Sequence, residues 1–189
     1  MTVIGTVGLP GSGKGEAASV ARERGIPVIT MGDVIREACR ERGLDPATEH
    51  GRVARALREE DGPTAIAERS LPMIRERLAD HEVVLVDGIR SGVEVDVFED
   101  AFDGFVLVSI EAPFELRAER LDLRGRDAGE EEGGESLIER DERERGFGMD
   151  DAMARADVTI ENVDSLEAFR TEVEAILDGS HDDAGGEPA

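Results

Sequence analysis

Short continuous apolar runs alternate along this chain with stretches of helical periodicity. Val3-Ile4-Gly5-Thr6-Val7, Ile26-Pro27-Val28-Ile29-Thr30, Val83-Val84-Leu85-Val86, Phe105 to Ile110 and Val158-Thr159-Ile160 read as five strands. A run without polar alternation, such as Val83 to Val86, suits a strand covered on both faces of a parallel sheet. After the first strand, Ala17, Val20 and Ala21 fall on one face of a helix over 16–22, and a second helix is expected over 114–123. Strands alternating with helices predict a three-layer α/β fold, with a five-stranded parallel sheet, helices on both faces and crossover connections.

The long helical stretch 33–79 lies between the second and third strands. Gly43-Leu44-Asp45-Pro46 and Asp61-Gly62-Pro63 break it into three helices, with Pro63 suited to a helix start and Pro72 expected to bend the third. This much helix exceeds one crossover, so an inserted subdomain on the ligand-binding edge of the sheet is expected. A second irregular region, 124–135, is polar and glycine-rich, and reads as a short lid or an ordinary surface loop. Residues 1–178 then form one domain, and the acidic stretch 179–189 is expected to be disordered.

Local chemistry concentrates in Gly8-Leu9-Pro10-Gly11-Ser12-Gly13-Lys14-Gly15, which contains the chain's one lysine. The spacing Gly8-x4-Gly13-Lys14 is that of a P-loop, a glycine-rich turn whose backbone N–H groups wrap a polyphosphate. Lysine adds a compact, flexible point charge for the outer phosphates. The motif lies between a strand and a helix, the context its mechanism requires. Asp87 closes the third strand in Val83-Val84-Leu85-Val86-Asp87-Gly88, a position from which a carboxylate can hold the water shell of Mg²⁺ near bound phosphates. Taken alone, the same Asp-Gly also marks a plain turn.

Arginine placement adds a third clue. Arg36 follows Gly32-Asp33 just beyond one strand, and Arg90 follows Asp87-Gly88-Ile89 beyond another. Arg124, Arg126, Arg140 and Arg143 flank the expected lid. The guanidinium fork suits phosphate oxygens, although Arg140-Asp141-Glu142-Arg143-Glu144-Arg145 also reads as an ordinary salt-bridged helix.

Composition narrows the setting. The formal net charge is −23, from 45 acids against 22 bases. This argues against a general nucleic-acid-binding surface, which needs a basic stripe. Cys39 has no second cysteine to pair with and reads as a helix-packing residue. His50, His81 and His181 lack metal-ligand spacing. No signal peptide or membrane-length apolar span is recognisable, so a soluble, cytoplasmic protein with no membrane partner is expected.

Together these segments resemble the adenylate-kinase-like branch of the P-loop kinases. Gly8-x-Pro10-Gly11-x-Gly13-Lys14-Gly15 is similar to that family's phosphate loop. Met31-Gly32-Asp33-Val34-Ile35-Arg36 and Asp87-Gly88-Ile89-Arg90 are similar to its two acceptor-site segments. Over nearly the whole length, Gly13-Lys14-Gly15-Glu16, Asp87-Gly88-Ile89-Arg90-Ser91, Arg140 to Glu144 and Ala156 to Asn162 resemble an uncharacterised archaeal family described as dephospho-CoA-kinase-related or nucleotide-kinase-like.

The resemblance implies ATP as phosphate donor. It implies Lys14 and the loop Gly8-Leu9-Pro10-Gly11-Ser12-Gly13-Lys14-Gly15 on the β- and γ-phosphates. Asp87, with Glu16, would hold hydrated Mg²⁺, and Asp33, Arg36 and Arg90 would face a small anionic acceptor. Lid arginines (Arg124 or Arg126, and Arg140 or Arg143) would reach the transferring phosphoryl group. For an alcohol acceptor, Asp33 or Asp87 is the expected base. The chain departs from the adenylate kinase pattern at Glu16 and Met31, each where that family carries threonine. It also lacks the proline before the second arginine and has Glu94 where that family reads adenine with glutamine. AMP is therefore not implied as the acceptor. A nucleotide or small-molecule kinase is the first expectation, an ATP-dependent regulator or slow ATPase the second, and an interaction module without nucleotide the third.

The acidity carries its own test. Self-repulsion at this net charge destabilises a compact state, and at about 1 M salt the Debye length of roughly 3 Å removes most of it. The melting temperature is expected to rise steeply across a KCl series. Equal melting temperatures at low and molar KCl would refute adaptation to a salt-rich cytoplasm.

Overall fold

The structure, a computed structural model, describes residues 1–128 and 136–179; of 123–128 it describes the backbone alone. The chain runs β1 (Thr2–Val7), α1 (Lys14–Glu23), β2 (Val28–Thr30), α2 (Met31–Glu41), α3 (Pro46–Asp61), α4 (Ala65–Leu78), β3 (Val83–Asp87), α5 (Gly92–Ala101) and β4 (Phe105–Glu111). It continues through α6 (Phe114–Ala128), α7 (Leu137–Phe147), α8 (Met149–Ala154), β5 (Val158–Glu161) and α9 (Leu166–Leu177). The strands form one parallel sheet in the order β2-β3-β1-β4-β5. This is the expected fold.

Alternation along the strands divides the core. Val3, Val7, Val84, Val86 and Leu107 face one side, where they pack with Val34, Ile35, Val53, Leu57, Ile66 and Ile74 of α2–α4, Val95 and Phe98 of α5 and Met149 of α8. Ile4, Leu85, Val108, Ile110 and Ile160 face the other, against Ala17 and Val20 of α1 and Phe169, Val173 and Ile176 of α9. The three helices between β2 and β3 therefore share a continuous apolar core with the sheet. Cys39 is fully buried in that same core.

Side-chain caps set the helix starts. Thr30 and Asp33 form a reciprocal capping box that starts α2 directly from β2, two residues before the expected start of the helical stretch. Asp45 caps α3, and Pro46, read from sequence as a breaker, occupies its first position. Pro63 lies in the turn before α4 and not in its first position, while α4 continues through Pro72 to Leu78. Helix α6 extends to Ala128, so positions 124–128, expected to open the lid, are helical. The remainder of the expected lid, 129–135, and positions 180–189 of the expected tail lie outside the described residues.

Sheet order positions the functional edge. The chain leaves β1 toward β2 but leaves β4 toward β5, so connections diverge above two adjacent strands. Such a divergence opens a crevice at the carboxyl ends of the strands. The glycine loop fills it.

Candidate active site

Residues 8–13 turn tightly between β1 and α1. Gly8 has φ +145°, and a Cβ there would lie 2.3 Å from the Ile110 carbonyl oxygen; Gly13 has φ +123°, and a Cβ there would lie 2.4 Å from Nδ2 of Asn162. Both positions therefore demand glycine, in conformation as well as in space. Lys14 opens α1, and its ammonium donates to the carbonyls of Gly8 and Leu9, folding the side chain over the loop. Burial lowers the Lys14 pKa, and the carboxylates of Asp87 and Glu144 work against that shift. Ser12 Oγ is buried within the loop without a hydrogen-bond partner.

Side chains from β5 and α6 hold the loop from outside. Arg117, 4% exposed, donates to the Pro10 carbonyl at 2.9 Å, to the Ala112 carbonyl at 3.1 Å, and through both terminal nitrogens to Asp141 of α7 at 2.8 and 2.7 Å. Asn162, just past β5, donates to the Ser12 carbonyl at 2.8 Å, and Arg120 donates to the Asn162 carbonyl and side-chain oxygens at 3.0 and 3.1 Å. None of Arg117, Arg120 or Asn162 is expected as a site residue from sequence. The segments Arg140 to Glu144 and Ala156 to Asn162, on which the family resemblance rests, contain Asp141 and Asn162 and are the sequence signal for them.

Asp87 ends β3 directly opposite Thr6 of β1, whose hydroxyl donates to its carboxylate at 2.9 Å. Beyond it lies a cavity of about 730 Å³ between β3, α2, α3 and α7. Its polar walls include Arg55 and Arg58 of α3, Arg90, Arg143 of α7, Asp87 and Glu94. Arg90 is held from several sides. Its backbone N–H donates to Glu94 at 2.8 Å, its guanidinium lies 3.4 Å from Glu144, and it stacks 5.8 Å from the Phe147 ring centroid. Arg58 stacks on the same ring at 5.4 Å, and Arg143 lies 3.6 Å from Glu144. Burial raises the pKa of Glu94, opposed by the Arg90 N–H and by the Arg58 charge.

The other expected site residues lie at the edge of this cavity, as Asp33 and Arg36 do against Thr30 and Gly32, or away from it. Glu16, proposed from sequence as a second magnesium carboxylate, is engaged by Arg170 of α9, which also holds Glu23. That pairing assigns Glu16 to the α1–α9 seam. Arg36 lies against Gly32 and is bound by Asp33 at 2.6 Å. Burial pushes the Asp33 carboxyl up, but bonds from Arg36 and Thr30 outweigh it and leave the group below its ordinary range. Arg140 is half-buried one residue before Asp141, while the side chains of Arg124 and Arg126 lie outside the described residues. Arg55, Arg58, Phe147 and Glu144 are missed by the sequence reading, because they reach the site through tertiary packing of α3 and α7.

A parallel sheet with a glycine phosphate loop after its first strand defines a P-loop kinase-like fold. Residues 7–137 match a family model described as an AAA domain. A UPF0200 protein of Halobacterium salinarum is 61% identical over 94% of this chain and 93% of its own length. One of Methanosarcina mazei is 46% identical over 94% of both. The chain belongs to this archaeal UPF0200 family. Among solved structures, TT1252 from Thermus thermophilus shares the fold with TM-score 0.61 at 22% identity, covering 98% of each chain. Shikimate kinase from Acinetobacter baumannii in complex with shikimate does so with TM-score 0.57 at 17% identity, covering 95% of this chain and 94% of the other. Among the described residues no helix is long and apolar enough to cross a membrane.

The Arg117–Asp141 pair gives a stability prediction. Removing one member of a buried pair strands the other charge, at a cost of about 3–5 kcal/mol. Asp141→Ala is therefore expected to lower denaturant stability by that order and to weaken nucleotide binding with it, since the Pro10 contact shares the same guanidinium. Urea melts and nucleotide titration check this; a variant as stable as wild type would show that the pair does not hold the loop.

Proposed function

We propose that this protein is a Mg²⁺-dependent phosphotransferase that moves the γ-phosphate of ATP to a small anionic acceptor. The observation that carries the reading is the adjacency of two differently built sites. Asp87 is close enough to Lys14 of the glycine loop to act on its charge, and it also lines the arginine-walled cavity.

The residues present fit a nucleotide polyphosphate. The loop has close-approach glycines at 8 and 13 and a buried Ser12 hydroxyl without a partner. The Lys14 ammonium sits across the mouth of the loop on two carbonyls, from which a polyphosphate, a stronger acceptor, would draw it. Asp87, oriented by Thr6, is the carboxylate suited to the water shell of Mg²⁺. When bound, Mg²⁺ neutralises charge on the β- and γ-phosphate oxygens. The chain's own residues then position and neutralise. Loop amides and Lys14 fix the donor, while Arg90, Arg58 and Arg143 fix the acceptor and offset charge as the phosphoryl group transfers. For a hydroxyl acceptor, Asp87 is the nearest suited base.

A second reading, a slow ATPase or ATP-dependent regulator, is favoured by one feature. Gly15 and Glu16 follow Lys14, so no hydroxyl follows the lysine, and Glu16 is committed to Arg170.

ADP release from Mg-ATP in molar KCl, with nucleoside monophosphates and dephospho-CoA added separately, tests both readings. One acceptor is expected to stimulate release strongly, and Lys14→Ala to reduce it by roughly 10²- to 10³-fold. Tight ATP binding that no acceptor stimulates would support the regulator instead. Unchanged turnover in Lys14→Ala would remove both.

A further inference from the structure

Arg90 and Arg143 belong to different elements, yet they converge on a single atom. Oε1 of Glu144 lies 3.4 Å from a terminal nitrogen of Arg90, in the turn after β3, and 3.6 Å from a terminal nitrogen of Arg143, its neighbour on α7. The Glu144 side chain is only 8% exposed, whereas those of Arg90 and Arg143 are 42% and 45% exposed. A buried carboxylate is thus the shared partner of two half-exposed guanidiniums that line the cavity. One helical turn further along α7, Phe147 stacks on the same Arg90. Both ion-pair contacts are longer than the roughly 2.7–2.9 Å of a charge-assisted hydrogen bond. Glu144 therefore divides its charge between the two arginines without closing on either.

We propose that Glu144 is a positioning residue, holding Arg90 and Arg143 as one pair so that a single dianionic phosphate group meets two guanidiniums. This rests on the cavity being the acceptor site. Two arginines brought this close repel each other, and a carboxylate shared between them offsets that repulsion. Sharing also makes the pair interdependent. With either arginine removed, the other has Glu144 to itself, and closing to hydrogen-bond distance turns its fork from the cavity. The ligand then loses both partners when one is removed. A carboxylate that only balanced surface charge would leave the two arginines to act independently. Glu144 also acts on the charges of Lys14 and Arg58, so it lies within reach of the glycine loop as well as of α3.

Equilibrium titration of the full chain in molar KCl with inorganic phosphate, its glycine loop filled by a non-hydrolysable ATP analogue, tests the proposal. Arg90→Ala and Arg143→Ala are each expected to weaken phosphate binding about tenfold, and the double variant little further, as for two residues acting as a unit. In a Glu144→Gln background the tether is gone, and the same two losses are expected to multiply to roughly a hundredfold. Melting temperatures identify any variant that has lost the fold, and the comparison in the wild-type background needs no change at Glu144. Glu144→Asp, which keeps the charge on a shorter stem, is expected to restore part of the interaction. Losses that multiply in the wild-type background, or an interaction that survives Glu144→Gln, would overturn the proposal. Phosphate binding indifferent to both arginines would do the same. If the analogue does not bind, the nucleotide reading falls, and titration of the unfilled chain still reads the arginine pair. An interdependent pair in a chain that transfers phosphate to no acceptor would overturn the kinase reading alone. Turnover with independent arginines would overturn this proposal alone.

Discussion

A phosphate-binding loop rich in glycine has few side chains with which to hold its own shape, so its carbonyls must be fixed from elsewhere in the fold. Here that constraint is met chiefly by one guanidinium. Arg117 reaches the Pro10 carbonyl from α6 and is itself fixed by Ala112 and by both oxygens of Asp141. Removing such a group from water is costly, and only saturation of its donors with good geometry offsets the penalty. The arrangement also ties the loop to α7, the helix that carries Arg143 and Glu144. Asn162 repeats the logic from β5 at the Ser12 carbonyl. Loop shape and the placement of α6 and α7 therefore depend on the same few polar contacts.

The charge pattern follows from this division of labour. Arginine holds structure through fixed forks, as in Arg117 with Asp141 and Arg170 with Glu16 and Glu23. The lone lysine instead rests on the carbonyls of Gly8 and Leu9, a compact, flexible charge that is not locked in a fork. Most exposed ion pairs contribute little individually, generally below about 1 kcal/mol. The buried carboxylates Asp141 and Glu144 differ, because Asp141 takes both terminal nitrogens of the buried Arg117 and Glu144 lies against both Arg90 and Arg143.

The fold was legible because its signals are local: unbroken apolar runs for buried parallel strands, and a glycine motif in strand-to-helix context. Lys14 and the loop residues were legible for the same reason. Asp87 and Arg90 could be grouped with the loop because strand ends in a parallel sheet share one edge. What stayed hidden is what only packing brings together. Arg55 and Arg58 look like surface residues of an acidic helix until α3 is laid across β3, and Phe147 gains meaning only with two guanidiniums on its ring. Glu16, suggested as a metal carboxylate by its place beside Gly15, is turned by helix periodicity toward Arg170, a pairing sequence adjacency does not reveal.

The turn Asp87-Gly88-Ile89-Arg90 shows how the two halves of the site are coupled. Asp87 closes β3 and is held by Thr6 beside the glycine loop. Gly88 takes φ +96°, reversing the chain where a side chain would be strained, and Ile89 is fully buried as the anchor of the turn. Arg90 then enters the cavity with its backbone tied to Glu94. Asp87, beside the glycine loop, and Arg90, in the cavity wall, are thus separated by two residues, Gly88 and the buried Ile89. In phosphoryl transfer most of the barrier reduction comes from positioning and electrostatics, with little covalent work for the protein. In the proposed kinase, a short link between these two groups would supply such positioning without relying on a distant loop to set their separation.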